Sequence, residues 1–123
     1  MEPIIVPYNP PNDDAIAQAQ KKLDFVFPES YIQFIKSGYP VGESLLEPLM
    51  IDPISTHVDI YDAANNAWEN YEIPKEWLPI CDDNADLFLI NAEGNIRFWS
   101  HDGMFPEETW PTLDAWLASI SEG

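Results

Sequence analysis

The sequence predicts an α+β domain in which helices surround an antiparallel β-hairpin, and three observations carry that expectation. Two apolar runs, Asp86 to Asn91 and Ile96 to His101, flank the segment Asn91-Ala92-Glu93-Gly94-Asn95. Gly94 can take the left-handed conformation that closes a three-residue hairpin loop. Four other stretches repeat their apolar residues at helical spacing. Finally, 123 residues of which 46% are hydrophobic suffice for one packed core, burying roughly two-thirds of the surface an unfolded chain exposes.

The hairpin fixes its own register. If Asn91 pairs with Asn95, Ile90 faces Ile96 and Phe88 faces Phe98 on one side of the sheet. Leu87 then falls opposite Trp99, and Leu89 opposite Arg97, on the other. A slip of one residue would send every side chain to the wrong face. Because both faces of the first strand are apolar, it is expected to be central and covered on both sides.

The remaining elements follow along the chain. Residues 1–11, with four prolines among Pro3 to Pro11, read as an extended lead-in. Asn12 can cap a helix with Asp13 and Asp14 in its first turn and Lys21 and Lys22 in its last, both matching the helix dipole. Its inner stripe is Ile16, Ala19 and Leu23. A turn at Phe25 to Pro28 precedes a second helix, about Glu29 to Ser37, carrying Tyr31, Phe34 and Ile35 inward and stopped by Gly38. Glu43 to Ile51 suggests a strand that Pro48 interrupts. Asp52-Pro53 and Thr56-x-x-Asp59 compete to start a third helix. Ile54, Val58, Tyr61, Trp68 and Tyr71 keep helical spacing through it, and Pro74 is expected to end it. Trp77-Leu78-Pro79-Ile80 leads into the hairpin. Gly103 to Pro111 reads as a loop, and the last helix sets Leu113, Trp116, Leu117 and Ile120 at i, i+3, i+4 and i+7. No repeat, low-complexity run or linker divides residues 1–123, so a single domain is expected.

Charge narrows the function classes. The chain carries 22 acidic and 5 basic side chains, a formal −17. Such a field repels nucleic-acid phosphates and anionic membranes, and it favours a protein partner with a basic surface. Solubility alone is the plainer account of the same charge. A single cysteine, Cys81, excludes an internal disulfide and suits a reducing compartment. Met1-Glu2-Pro3 has no signal-peptide character, and nothing approaches the ~20 apolar residues of a membrane span. A cytoplasmic location is the expectation.

With the elements in order, the chain resembles the SUKH superfamily. The likeness begins at Leu23 and Phe27-Pro28-x-x-Tyr31-x-x-Phe34-Ile35-x-Ser37-Gly38. It continues through Trp77-Leu78-Pro79-Ile80-x-Asp82, Asp86-x-Phe88-x-Ile90, Gly94-x-Ile96 and Trp99-x-His101, and ends at Thr112-Leu113-x-x-Trp116-Leu117. Departures are Gln20 and Asp24, where such domains often carry Glu and Gly, Ser37 for Asn, and Ala85 where Gly often precedes the strand. The resemblance implies one mixed, mainly antiparallel sheet flanked by about four helices. It also implies the superfamily's usual bacterial role, an immunity protein that binds and neutralises a cognate toxin domain, many such toxins being nucleases or other nucleic-acid-directed enzymes. Fungal relatives act as regulatory interaction domains.

Constellations that could carry chemistry are few. Cys81, His101 and Asp102, with His57 elsewhere, can be drawn as a nucleophile system for a small hydrolase, which needs a thiolate beside an oriented imidazole. Cys81 sits in an apolar strand-like run, where a buried structural thiol is commoner, and His101 is expected to close the hairpin edge with a hydrogen bond. Asp82-x-Asn84-x-Asp86 with Glu93 copies part of a calcium loop. Its sixth position is Leu87 rather than the required Gly, so an exposed turn is expected instead. No phosphate loop, zinc spacing or basic patch exists, and neither a cofactor nor a metal is expected. Trp68, Trp99 and Trp116 belong to the core by their predicted faces. Trp110, in a loop beside Glu107 and Glu108, has the composition of an interface hot spot, or folds back over the last helix. The partner contacts expected are therefore Asp82, Asp83 and Asp86, with Glu107, Glu108 and Trp110.

Overall fold

The left-handed Gly94, at φ +92°, sets the register of the sheet. It donates its N–H to the Asn91 carbonyl, and Asn91 N–H bonds the Asn95 carbonyl. A Cβ at this position would meet Ser30 Oγ at 3.4 Å, because the loop docks against the start of the second helix. The computed structural model describes residues 11–39, 41, 46–51 and 58–122. The lead-in up to Pro10 and residues 43–45 of the interrupted strand lie outside these.

Four helices, α1 (Asp13–Leu23), α2 (Glu29–Lys36), α3 (Ile60–Glu69) and α4 (Leu113–Glu122), surround one five-stranded antiparallel sheet. The strands are β1 (Glu47–Pro48), β2 (Leu78–Asp83), β3 (Asp86–Ile90), β4 (Ile96–Trp99) and β5 (Thr109–Trp110), in the spatial order β1-β2-β3-β4-β5. The hairpin is as the sequence dictates: Leu87 pairs with Trp99, Phe88 with Phe98, Leu89 with Arg97 and Ile90 with Ile96. The sheet is antiparallel rather than mixed: among the described residues a parallel pairing occurs only as an isolated bridge between Met50 and Asp59, outside the named strands. Pro48 sits in the two-residue edge strand β1 opposite Cys81. An edge tolerates a residue with no N–H to donate.

Period two along β3 divides the core. Phe88 and Ile90 face a large cluster shared with Ile16 and Leu23 of α1, Tyr31 and Phe34 of α2, and Trp116 of α4. Leu87 and Leu89 face a smaller cluster of Ala67, Ile73, Trp77 and Trp99. Helices α1 and α2 follow the sequence closely. The Asn12 carboxamide caps α1 by accepting from Ala15 N–H at 2.8 Å, and the inward residues are those expected.

Helix α3 differs from expectation. Its buried residues are Ile60, Ala64 and Ala67. Tyr61 and Trp68 lie half-buried on its flanks, and Tyr71 is 42% exposed beyond its end. Asp59, expected as the third residue after a Thr56 cap, is itself the cap and accepts from Tyr61 N–H at 2.8 Å. The Asp52-Pro53 and Thr56 signals and Ile54 lie outside the described residues. Starting at Asp59 turns the alanines to the sheet and the rings to cations: Lys22 lies 4.1 Å over Tyr61 and Lys75 4.8 Å over Trp68. The helix closes at Asn70, before Pro74 is reached.

Candidate functional site

The β2–β3 connection is a two-residue turn made by Asn84 and Ala85, both at positive φ (55° and 81°). This combination matches strand twist, and glycine or asparagine normally supplies it. Ala85 occupies it at a steric cost, at the position where the family pattern favours Gly. Asp82 Oδ1 accepts from Ala85 N–H at 2.9 Å, and Asp83 pairs with Asp86 across the turn. The turn therefore holds three carboxylates at one end of the sheet.

Asp86 is the most constrained of them. Its Oδ1 accepts from the His101 backbone N–H at 3.0 Å and lies 2.6 Å from the ring Nδ1. The backbone N–H of His101 first, and the imidazole with it, hold the Asp86 carboxyl below its ordinary value, while the bond to Asp86 raises the His101 pKa. His101 thus fastens the end of β4 to the start of β3, the edge-closing hydrogen bond expected of it.

A groove of about 470 Å³ lies between this turn and α3. Asp59 and Asp62 of α3 and Asp82 of β2 contribute carboxylates, Leu49 and Leu87 an apolar surface, and Tyr71 an aromatic wall. Tyr71 is held in place by stacking on Trp99, with centroids 4.6 Å apart and planes at 20°. Sequence reading found Asp82 but missed Asp59, Asp62 and Tyr71. The signal existed: with Asp59 as cap, Asp62 and Asn66 are four apart and share one helix face.

The other expected contacts sit apart from the groove. Glu107 and Glu108 are exposed in the segment before β5, on the same end of the sheet as the turn. Strand β5 lies three strand spacings from β2, about 14 Å at ~4.8 Å each. Trp110 is half-buried in β5, opposite Ile96 and edge-on to Phe88 with centroids 5.8 Å apart. Arg97, to which the sequence assigned no role, anchors this segment. It donates from Nε to the Pro106 carbonyl and from Nη2 to the Phe105 carbonyl, with its guanidinium 3.5 Å over the Phe105 ring.

The hydrolase constellation is not assembled for catalysis. Cys81 is fully buried opposite Phe88, and burial pushes its thiol far up, favouring the un-ionised form. The His101 ring is exposed and bound to Asp86, and His57 lies outside the described residues. Among the described residues, no group of three or more His, Cys, Asp or Glu side chains is placed to hold a metal ion. No described helix is long and apolar enough to cross a membrane.

Fold and site define an α+β domain that presents an acidic groove at one end of its sheet. A family model described as SMI1-KNR4 cell-wall (SUKH_5) matches residues 1–122, and the chain belongs to that family. A crystal structure of a protein from Pseudomonas syringae pv. tomato is similar, with a TM-score of 0.82 at 25% identity over 97% of this chain and 88% of that chain. No curated protein matches.

Proposed function

We propose that this chain is a cytoplasmic immunity protein that binds and neutralises a cognate toxin domain, a nuclease or other nucleic-acid-directed enzyme. Its mechanism is occlusion: carboxylates cover the basic surface through which the toxin engages nucleic acid. The observation that carries this reading is the acidic sheet end, where Asp59, Asp62 and Asp82 line one groove beside Asp83. The formal −17 adds a long-range field that can raise association rates by about 10–10³-fold. SUKH-family membership supports a role in binding rather than catalysis, and the buried, protonated thiol of Cys81 agrees with it. The cell-wall description of the family favours a second reading, a regulatory scaffold domain with a host partner.

Co-expression with a candidate toxin domain taken from a neighbouring reading frame separates the two. The immunity reading expects growth to be restored and a complex to co-elute in gel filtration. Unrelieved toxicity, with no complex formed, would overturn it.

A further inference from the structure

We infer that the turn after β4, with Met104 at its tip, and the adjoining Tyr71 form the apolar centre of a protein-docking surface, whose partner presents an apolar patch flanked by lysine or arginine. This rests on the binding role proposed above and gives it an anchor and a chemistry. Among the described residues, Val26, Tyr71 and Met104 are the large apolar side chains left exposed. One such residue alone means little on a protein surface. Here two of them are tied to one stretch of chain, Trp99-Ser100. Tyr71 stacks on the Trp99 ring, and the Met104 carbonyl accepts from Ser100 N–H at 2.8 Å. Half-buried Phe105 packs against the cluster that contains Trp99. Val26 lies instead toward the hairpin loop at the other end of the sheet, two residues before Pro28, which a Cβ at Gly94 would approach to 3.9 Å.

The turn holds its tip in place. Gly103, at φ +94°, donates to the Ser100 carbonyl at 2.8 Å, and Asp102 N–H donates to Ser100 Oγ at 3.2 Å. Beyond the tip, Arg97 binds the Phe105 and Pro106 carbonyls and lays its guanidinium on the Phe105 ring. A tip fastened on both sides has little backbone entropy left to lose on binding. Met104 itself is 63% exposed, so most of its apolar surface adds nothing to folding and is free to be buried by a partner. Its unbranched, polarisable side chain adapts to the surface it meets.

The surroundings specify the partner's charge. Asp102, Glu107 and Glu108 flank the tip along the chain and Glu72 follows Tyr71, all of them exposed. Arg97 is committed to the 105–106 carbonyls, and His101 to Asp86. A second copy of the chain would set these acids against their own counterparts, with a formal −17 on each side. Nucleic acid and anionic membranes meet the same repulsion. A basic rim around an apolar centre is the complement: the desolvated centre carries affinity, and the rim charges carry association rate.

The test is an NMR titration of the full chain, isotope-labelled at its backbone amides and at the methyl groups of Met1, Met50 and Met104. The probe is acetyl-Lys-Leu-Leu-Lys-Lys-Leu-Leu-Lys-amide, with two companion peptides in which glutamate replaces lysine or serine replaces leucine. The first should shift the Met104 methyl and the amides of Tyr71, Gly103 and Phe105 while leaving the Met50 methyl in place, and each companion should produce far smaller shifts. Met104→Ser should weaken binding about tenfold, as loss of an anchoring side chain does. Val26→Ser, also at an exposed position, should leave binding unchanged, each variant being checked by an unaltered melting temperature. No Met104 shift with any peptide, equal binding of the serine peptide, or a Met104→Ser variant that binds as before would overturn the docking surface. If it fails while co-expression still restores growth, the immunity reading stands without it. If the peptide seats at Met104 while the toxin is ignored, the surface stands and its partner is another basic protein.

Discussion

The two faces of the sheet are covered unequally. One face carries Phe88 and Ile90 in a cluster to which all four helices contribute, with a chain of rings in which Phe88 lies 5.3 Å from Trp116 and 5.2 Å from Phe98. The other carries Leu87 and Leu89 in a smaller cluster to which only Ala67 of α3 contributes among the helices, beside Ile73, Trp77 and Trp99. Alanines bring a helix close but cannot reach beyond their own footprint. The result is a filled core on one side and, on the other, an open groove beside the β2–β3 turn. The larger core lies on the first face and the acidic groove on the second.

That contrast predicts unequal costs for two adjacent residues. Phe88→Ala should destabilise the protein by about 3–5 kcal/mol, since the surrounding helices cannot collapse into the space left by the ring. Leu87→Ala, at the groove wall, should fall near the lower end of the ~2–5 kcal/mol range for such truncations. Denaturant midpoints of the two variants measure the difference. Equal losses would mean that both faces are packed alike.

Ala85 sharpens the same comparison in the other direction. A non-glycine residue in the left-handed region costs about 1–2 kcal/mol. Ala85→Gly should therefore stabilise the protein by roughly 1 kcal/mol, less whatever glycine gains in the unfolded chain. A lower melting temperature for the variant would show that this turn is not strained.

The smallest effect expected is at the His101–Asp86 contact. Its bond to Asp86 raises His101 above the ordinary 6.5. The contribution of His101 is therefore complete below 6.5 and is lost as pH rises through the raised value. Asp86 lies below its ordinary 3.8, so its contribution is present above 3.8 and is lost as pH falls through the lowered value. The contact is whole between about 3.8 and 6.5 and loosens above. An NMR titration should find the His101 pKa elevated in the native protein and returned toward 6.5 by Asp86→Asn. An unchanged titration curve would contradict the contact.

What the sequence disclosed, and what it concealed, follows the same division. The β3–β4 register was legible because an alternating pattern and one left-handed glycine agree on a single solution. Helices α2 and α4 were legible through large apolar residues at i, i+3 and i+4, and α1 through its Asn12 cap, its end charges and the stripe of Ile16, Ala19 and Leu23. Strand β2 reads as a lead-in because a bulge between Pro79 and Cys81 breaks its alternation. Strands β1 and β5, at two residues each, are too short to show any period. In α3, weight on the large residues chose the wrong face, since Ala64 and Ala67 point inward and the rings do not. The groove joins Asp59 and Asp62 to Asp82, from segments whose proximity no local pattern records.

Binding kinetics with the toxin domain proposed as partner, at low and at physiological salt, test most directly whether this acidic sheet end is a contact surface. Asp62→Asn and Asp82→Asn each keep a side-chain carbonyl, which preserves the backbone bond at Asp82, while removing a contact charge. Asp14→Asn and Asp114→Asn remove charge from exposed helix positions elsewhere. The first pair should raise the dissociation rate by about tenfold or more, as truncating one partner of a desolvated pair does. The second pair should only slow association, and mainly at low salt, because exposed charges are screened beyond roughly 8 Å at physiological ionic strength. If both pairs slow association alike and neither alters dissociation, the acidic sheet end is not the contact surface.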